Sequence, residues 1–321
     1  MRKLEAWVRI VRPPIMVISI VGVSVGALNV TLGRGEPLPL ATYGMTCLMA
    51  ALLSAGLMVH NDYYDLPSDR VTRPKKALPS GAIKASTARD VGFALMALAV
   101  LTGLLVRFPA TGELDVITAL FAALVFLVGL FYNIRGKHTG LLGHAMVALG
   151  VGLIPYMGAV PFRDYADMLP LAAGIAVMEV GREIMVCAGD IEGDRAAGFS
   201  TLPVRIGQRR SLLVALGFYI ASAPLFFIYL PSIAGHIYGE GWDYGPMGAD
   251  DSFPVRNTLL DVNMFGTLYF VGAAAFLAAL IALWWLVWRK PVWESFERYI
   301  RTGSRMLIFL FQVLLLAEAW A

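Results

Sequence analysis

The chain has 321 residues, of which 58% are hydrophobic and 15% charged, with a formal net charge of +3 and a mean hydropathy of +0.68. Such a composition excludes an ordinary water-soluble domain and indicates an all-α polytopic membrane protein, with no nucleic-acid partner expected. Cys47 and Cys187, the two cysteines, lie in or at the ends of apolar segments, which excludes a disulfide framework and a cysteine-rich metal site.

The amino terminus, MRKLEAWVRIVRPPIMVISIVGVSVGALNV, sets positive charge and an amphipathic lead-in at Ala6, Trp7 and Val8 ahead of a long apolar run. We read it as a first anchored helix rather than a cleaved leader. Stretches long enough to cross a bilayer follow one another at 14–33, 39–60, 90–108, 115–133, 140–159, 167–188, 211–232, 263–287 and 303–320. Nine transmembrane helices around a central cavity are therefore expected, with residues 1–321 forming a single membrane domain. The outer connection GEGWDYGPMGADDSFPVRN is rich in Gly, Asp and Pro and is given no catalytic role.

Threading the chain through nine crossings places every Lys and Arg on one side except Arg34, Arg107, Arg163 and Arg256. That asymmetry predicts a cytoplasmic amino terminus, with the plasma membrane as the expected location.

Two acidic groups fall on the basic side. In VHNDYYDLPSDRVTRP, Asp62, Asp65 and Asp69 follow the second apolar stretch at spacings of three and four, one face of a helix if that helix runs on past Asn61. Pro67 can end it, in which case a turn delivers Asp69. In GREIMVCAGDIEGDRAAGFSTLP, at the end of the sixth stretch, Asp190 and Asp194 are four apart, Glu183 lies seven before Asp190, and Gly193 interrupts the last turn. Carboxylates this close repel one another, and burial adds to the cost of ionisation. A divalent cation offsets both penalties, and hard oxygen ligands suit Mg²⁺, which retains water and is completed by substrate phosphates. Arg70, Arg73, Lys75, Lys76 and Lys137 are placed to neutralise a diphosphate. Solvated helix caps are the plain alternative for each acidic group alone, and a cation-coupled transporter is a third reading.

At these residues the chain resembles the UbiA superfamily of intramembrane prenyltransferases. Asn61, Asp62, Asp65 and Asp69 match its Asn-Asp-x-x-Asp-x-x-x-Asp motif, and Asp190 and Asp194 its second acidic motif within the wider pattern REI…D.EGDR..G..TLP. The loop of Arg73, Pro74, Pro79, Ser80 and Gly81, and the segment FYNIRGKHTGLLG with Tyr132 and Lys137, agree as well. The resemblance implies Mg²⁺-dependent transfer of a polyisoprenyl group from its diphosphate to an aromatic or lipid-like acceptor within the membrane. It implies Asp62, Asp65, Asp190 and Asp194 as catalytic metal ligands acting through substrate phosphate, with Asp69 as a further ligand and Asn61 orienting. Arg73, Lys76 and Lys137 become diphosphate contacts. Tyr132 becomes a hydrogen-bond donor or carbocation neighbour, and Glu183 either a site acid or a partner of Arg182.

The chain departs from many relatives in carrying Val186 and Cys187 where a lysine and an acid are common, and Lys76 and Ala77 where arginine and proline are frequent. His60 reads as a polar helix-end residue, and Phe121, Phe126, Phe131 and Tyr156 read as packing rather than cavity wall. A terpene cyclase that lets the prenyl chain attack itself is the nearest alternative. The acceptor, the prenyl chain length and the oligomeric state are not fixed by these motifs.

Overall fold

A computed structural model describes residues 3–33, 37–108, 111–162, 168–237 and 264–320. Its helices in chain order are α1 (Lys3–Val11), α2 (Pro13–Gly33), α3 (Leu40–Tyr64), α4 (Leu66–Thr72), α5 (Ala85–Gly103), α6 (Val116–Ile134), α7 (Leu141–Ala159), α8 (Leu169–Gly189), α9 (Ile191–Ala196), α10 (Leu202–Ile206), α11 (Gln208–Ile237), α12 (Met264–Arg289), α13 (Trp293–Ser295) and α14 (Ser304–Trp320). A π-helical stretch, Phe296–Gly303, leads into α14. Among the described residues the one extended pairing is an isolated bridge between Arg107 and Leu114. The chain is thus all-α and polytopic.

Each apolar stretch of the sequence forms a long helix, and among the described residues eight helical segments are long and apolar enough to cross a membrane. The remaining one, α8, matches α2 in its length of 21 residues but carries Glu179, Arg182 and Glu183. The fifth-to-sixth boundary in this helix order shifts for a local reason. α5 starts at Ala85 and ends at Gly103, and the chain then turns so that Asp115 N donates to Val106 O at 2.8 Å. The Asp115 carboxylate accepts from Ile117 N at 3.0 Å and Thr118 N at 3.2 Å, satisfying two donors at the start of α6. Residues 239–257, the acidic outer connection, lie outside the described residues, as do Arg34, Arg163 and Arg256.

The amino-terminal lead-in is a separate helix. Pro13 disfavours helical backbone at the residue before it, and Arg12 sits at φ 56°, a left-handed conformation rare for a side-chain-bearing residue. The break lets α1 lie against α3 and the following loop, where Ala6 and Ile10 pack with Val59, Ala77, Leu78, Ile83 and Ala88. α5 and α6 turn Phe93, Leu98, Leu101, Leu120, Leu124 and Leu127 outward, the surface expected toward lipid.

Helix association in such a setting relies on close backbone approach at small residues. α2 and α7 meet in this way on reciprocal glycines. A Cβ on Gly26 would lie 1.9 Å from Pro155 O, and one on Gly158 would lie 2.0 Å from Val23 O. Gly26→Ala is therefore expected to force the two helices apart and destabilise the solubilised protein by about 1–3 kcal/mol, the usual cost of overpacking. Gly44→Ala, where a Cβ would meet nothing within 4 Å, should leave the melting temperature unchanged or higher. Thermal unfolding of both variants by intrinsic fluorescence in detergent checks this.

Candidate active site

The two acidic motifs are built alike. α3 ends at Tyr64, and Asp65 is the residue between it and α4; α8 ends at Gly189, and Asp190 is the residue between it and α9. Pro67 in the first turn of α4 makes that break, so Asp69 is delivered by a short second helix rather than by an extension of α3. Asp69 and Asp194 each follow four residues after their junction aspartate, one turn into the short helix.

The two short helices pack on each other. Ser68 Oγ donates to Asp194 Oδ1 at 3.2 Å, and Thr201 Oγ1 donates to Asp194 Oδ2 at the same distance. Gly193 permits the approach, since a Cβ there would sit 2.6 Å from both Ser68 Oγ and Thr72 Cγ2.

Basic side chains lie between the carboxylates. Arg73 donates from Nη2 to both oxygens of Asp190 at 2.8 Å and from Nη1 to Asp69 Oδ1 at 3.3 Å, joining the two motifs. Arg301 also donates to Asp190, and Lys137 pairs with Asp65. Lys76 reaches Asp69 at 2.7 Å and Asp62 at 3.3 Å, and Arg12 Nη2 lies 2.5 Å from Asp62 Oδ1. Trp293 packs beneath the guanidinium groups of Arg73 and Arg301, at 5.0 Å and 5.6 Å from its ring centre.

Burial perturbs Asp69, Asp194, Lys76 and Lys137 in the direction that disfavours charge. The Asp69 carboxyl is raised above the usual range, first by desolvation and against the pull of Lys76 and Arg73. Asp194 is pushed up to about 6 by desolvation and then by Asp190. Lys76 is lowered by burial, with Arg12 and Arg73 adding to the effect against Asp62 and Asp69. Lys137, only 8% exposed, is lowered to about 8 by burial despite the carboxylates around it.

Asn61, Asp65, Asp69, Arg73, Tyr132, Lys137, Glu183, Asp190 and Asp194 all line one pocket of about 280 Å³. The lining also includes the aliphatic Ile18, Leu53, Leu57, Val128, Val151 and Ile154, and the lining hydroxyls of Ser19 and Ser54 satisfy each other at 2.6 Å. Asp62 and Lys76 are placed differently. They line an adjoining cleft of about 460 Å³ with Arg9, Thr72 and Lys75, and Arg12 and Arg73 border both spaces.

Among the described residues no three His, Cys, Asp or Glu side chains come close enough to hold a metal ion by themselves. The residues nevertheless suit Mg²⁺. Every candidate donor is a hard oxygen, and Asn61, whose Nδ2 donates to Asp65 Oδ2 at 2.7 Å, has its Oδ1 buried without a partner. A cation that keeps water and takes phosphate oxygens does not need three preformed carboxylates.

Glu183 lines the pocket 3.7 Å from Arg182, whose closer partner is Glu179, with Arg182 Nε at 2.6 Å from Glu179 Oε2. His60 is 2% exposed, and its Nδ1 shares a hydrogen bond with Asn133 Nδ2 at 2.8 Å, a helix-packing role. Phe121 pairs with Tyr156 and Phe126 with Phe93, while Phe131 is 49% exposed. Val186 and Cys187, the departures from the expected motif, are pocket wall.

The sequence marks Arg12, Arg301 and Arg305 only as basic residues of one membrane side and Thr201 only as part of the wider pattern around Asp194, and it gives no site role to Ser68, Glu179 and Glu297. The available signals were Arg12 immediately before Pro13-Pro14, and the spacing of four between Glu297 and Arg301, which pair at 3.1 Å.

The UbiA prenyltransferase family matches residues 19–242. The chain is 34% identical to the digeranylgeranylglyceryl phosphate synthase of Methanoregula boonei, over 73% of this chain and 88% of that one. It is 32% identical to the enzyme of the same name from Methanopyrus kandleri, over 75% and 82%. The solved structure of a UbiA homologue from Archaeoglobus fulgidus bound to DMAPP and Mg²⁺ shares the fold, with a TM-score of 0.67, 16% identity and coverage of 98% and 97%.

The contact at Gly193 yields a direct test. Gly193→Leu should separate α4 from α9 and displace the two acidic motifs relative to each other. Because a misplacement of about 1 Å can cost about a hundredfold in rate, turnover should fall at least about tenfold more than thermal stability accounts for. A loss of turnover that merely tracks loss of folded protein would contradict this role.

Proposed function

Since the chain belongs to the UbiA prenyltransferase family, we propose that it uses the pocket between the two acidic motifs to transfer a polyprenyl group from its diphosphate to a lipid-like acceptor within the membrane. The supporting observation is the division of one pocket's lining between charged groups from both acidic motifs and aliphatic side chains, with Arg73 bridging Asp69 and Asp190.

The chemistry follows from that division. Arg73, Lys137 and, from the adjoining cleft, Lys76 and Arg12 bind the diphosphate and stabilise the charge it gains as the bond between C1 of the prenyl chain and oxygen breaks. Asp65, Asp69, Asp190 and Asp194, with Asn61, would hold Mg²⁺, and Asp62, on the cleft side, is the remaining candidate ligand. Bound there, Mg²⁺ supplies charge neutralisation to the diphosphate leaving group. Tyr132, whose ring lies 5.8 Å from Lys137 Nζ, faces the allylic cation that bond breaking leaves. The aliphatic wall holds the prenyl chain and excludes water, so that the acceptor's nucleophile, rather than solvent, forms the new bond and gives up its proton. The names of the relatives favour a prenylated glycerol phosphate lipid as the acceptor.

The wider arrangement belongs to the same proposal. Residues 1–321 act as one domain of nine spans, α8 among them, around the pocket as a central cavity. The basic side, with the amino terminus and both acidic motifs, faces the cytoplasm, and the plasma membrane is the proposed location. The charge asymmetry supports this orientation, and the burial of Glu179 at 1% exposure supports α8 as an interior span.

Reconstituted protein supplied with a panel of prenyl diphosphates and acceptors tests the activity. Asp65→Asn and Asp190→Asn should each lower Mg²⁺-dependent turnover by at least about a hundredfold while insertion and elution profile stay normal. Chelation with EDTA should abolish wild-type turnover, and Mg²⁺ should restore it. Full turnover by either variant, or turnover indifferent to chelation, would place the metal elsewhere.

A further inference from the structure

One group of charges in the pocket lies away from the junction aspartates. Measured along α8 at about 1.5 Å per residue, Arg182 is about 12 Å and Glu179 about 16 Å before Asp190. Arg182 is held by Glu179 through two hydrogen bonds, yet its Nη1 is buried and has no hydrogen-bond partner. Arg305, on the first turn of α14, lines the same pocket. It is one helical turn beyond Arg301, or about 6 Å further along the chain axis from the residue that holds Asp190. Among the described residues Arg305 makes no hydrogen bond or ion pair. Arg12, Arg182 and Arg301 line the pocket with it, as does Glu179.

A guanidinium retains its proton under these conditions, so a partly buried one without an acceptor calls for an anion. The diphosphate is an unsuitable match, because its charge is met at the acidic motifs by Arg73, Lys76 and Lys137, which the aspartates there hold. The anion must then arrive on the other substrate. Two guanidinium groups, each offering N–H donors in a fixed fork, suit the several oxygens of a phosphomonoester.

We propose that Arg182 Nη1 and Arg305 seat the phosphate of the acceptor, so that the enzyme selects an acceptor lipid carrying a phosphomonoester over its uncharged counterpart. The inference rests on the prenyl-transfer reading of the same pocket. Glu179 positions Arg182 by occupying Nε and Nη2, leaving Nη1 for the ligand. The prenyl chain of the donor then lies against the aliphatic wall while the acceptor's phosphate is held to one side. That arrangement fixes which acceptor atom meets the carbon that has lost diphosphate.

The test uses full-length protein in nanodiscs, geranylgeranyl diphosphate as donor, and three acceptors that share one prenylglycerol body: the phosphate, a carboxylate in its place, and the free alcohol. Wild-type kcat/KM should be at least about a hundredfold higher for the phosphate than for the alcohol, with the carboxylate between them. Arg305→Gln should raise KM for the phosphorylated acceptor about tenfold or more and move KM for the donor by less than about twofold. Arg305→Lys should recover part of the acceptor KM. Equal wild-type use of phosphate and alcohol, or a parallel rise of donor KM in Arg305→Gln, would overturn the assignment. Should the wild type ignore all three glycerol lipids but prenylate an aromatic acid, the acceptor class proposed above fails by itself. Arg305→Gln is then read on that acid, and an unchanged KM there would sink the anion seat independently.

Discussion

Ionised carboxylates facing one another in a poorly solvated pocket require positive charge between them, and that requirement organises this protein. The pocket wall carries Asp65, Asp69, Glu179, Glu183, Asp190 and Asp194, opposed by Arg12, Arg73, Lys137, Arg182, Arg301 and Arg305. Charges of the two signs balance without a ligand. Where two of these charges form an ion pair, either would be costly to remove alone, because the one left behind would be an unpaired buried charge. A diphosphate accompanied by its cation enters such a site with small net charge. Arginine and lysine can exchange carboxylate for phosphate oxygen while the carboxylates exchange guanidinium or ammonium for metal, so the number of charge-assisted contacts is kept through binding.

The backbone is shaped to bring these charges together. A long helix, a junction aspartate and a short helix recur at Asp65 and at Asp190, and the short helices meet where Gly193 lies against Ser68. Continuous helices would have stacked the carboxylates of each motif along a single face and carried them away from the opposite motif. The breaks turn the second aspartate of each pair back toward its counterpart, close enough for Ser68 of one motif to donate to Asp194 of the other. Arg12 joins the same network through a third break, at a backbone conformation that a side-chain-bearing residue adopts only when its surroundings hold it there.

Periodicity and charge made much of this legible in advance. Apolar runs mark the nine long helices among the described residues, and carboxylate spacing marks Asp65, Asp69, Asp190 and Asp194, because both signals are local in sequence. What the sequence concealed were contributions that depend on distant packing. Arg301 meets Asp190 across 111 positions, and Arg12 meets Asp62 across 50. Neither differs in its immediate neighbourhood from the other basic residues of its membrane side. Asp62 illustrates the converse: its motif groups it with Asp65, but it faces the adjoining cleft with Lys76 rather than the main pocket.

Hydropathy itself misranks the helix nearest the chemistry. α5 and α6 carry the broad outward faces, and each has a window only 28% buried inside the protein, against 50% for α3 and 56% for α7. They are apolar because hydrocarbon would punish anything else on those faces. α8 bears three charged residues, falls outside the apolar set, and has Glu179 at 1% exposure. An ionisable group is tolerated in a spanning helix when it faces inward and is paired, as Glu179 and Arg182 pair here. The helix that lowers the hydropathy signal is the one that Arg182, Glu183 and Asp190 tie to the pocket.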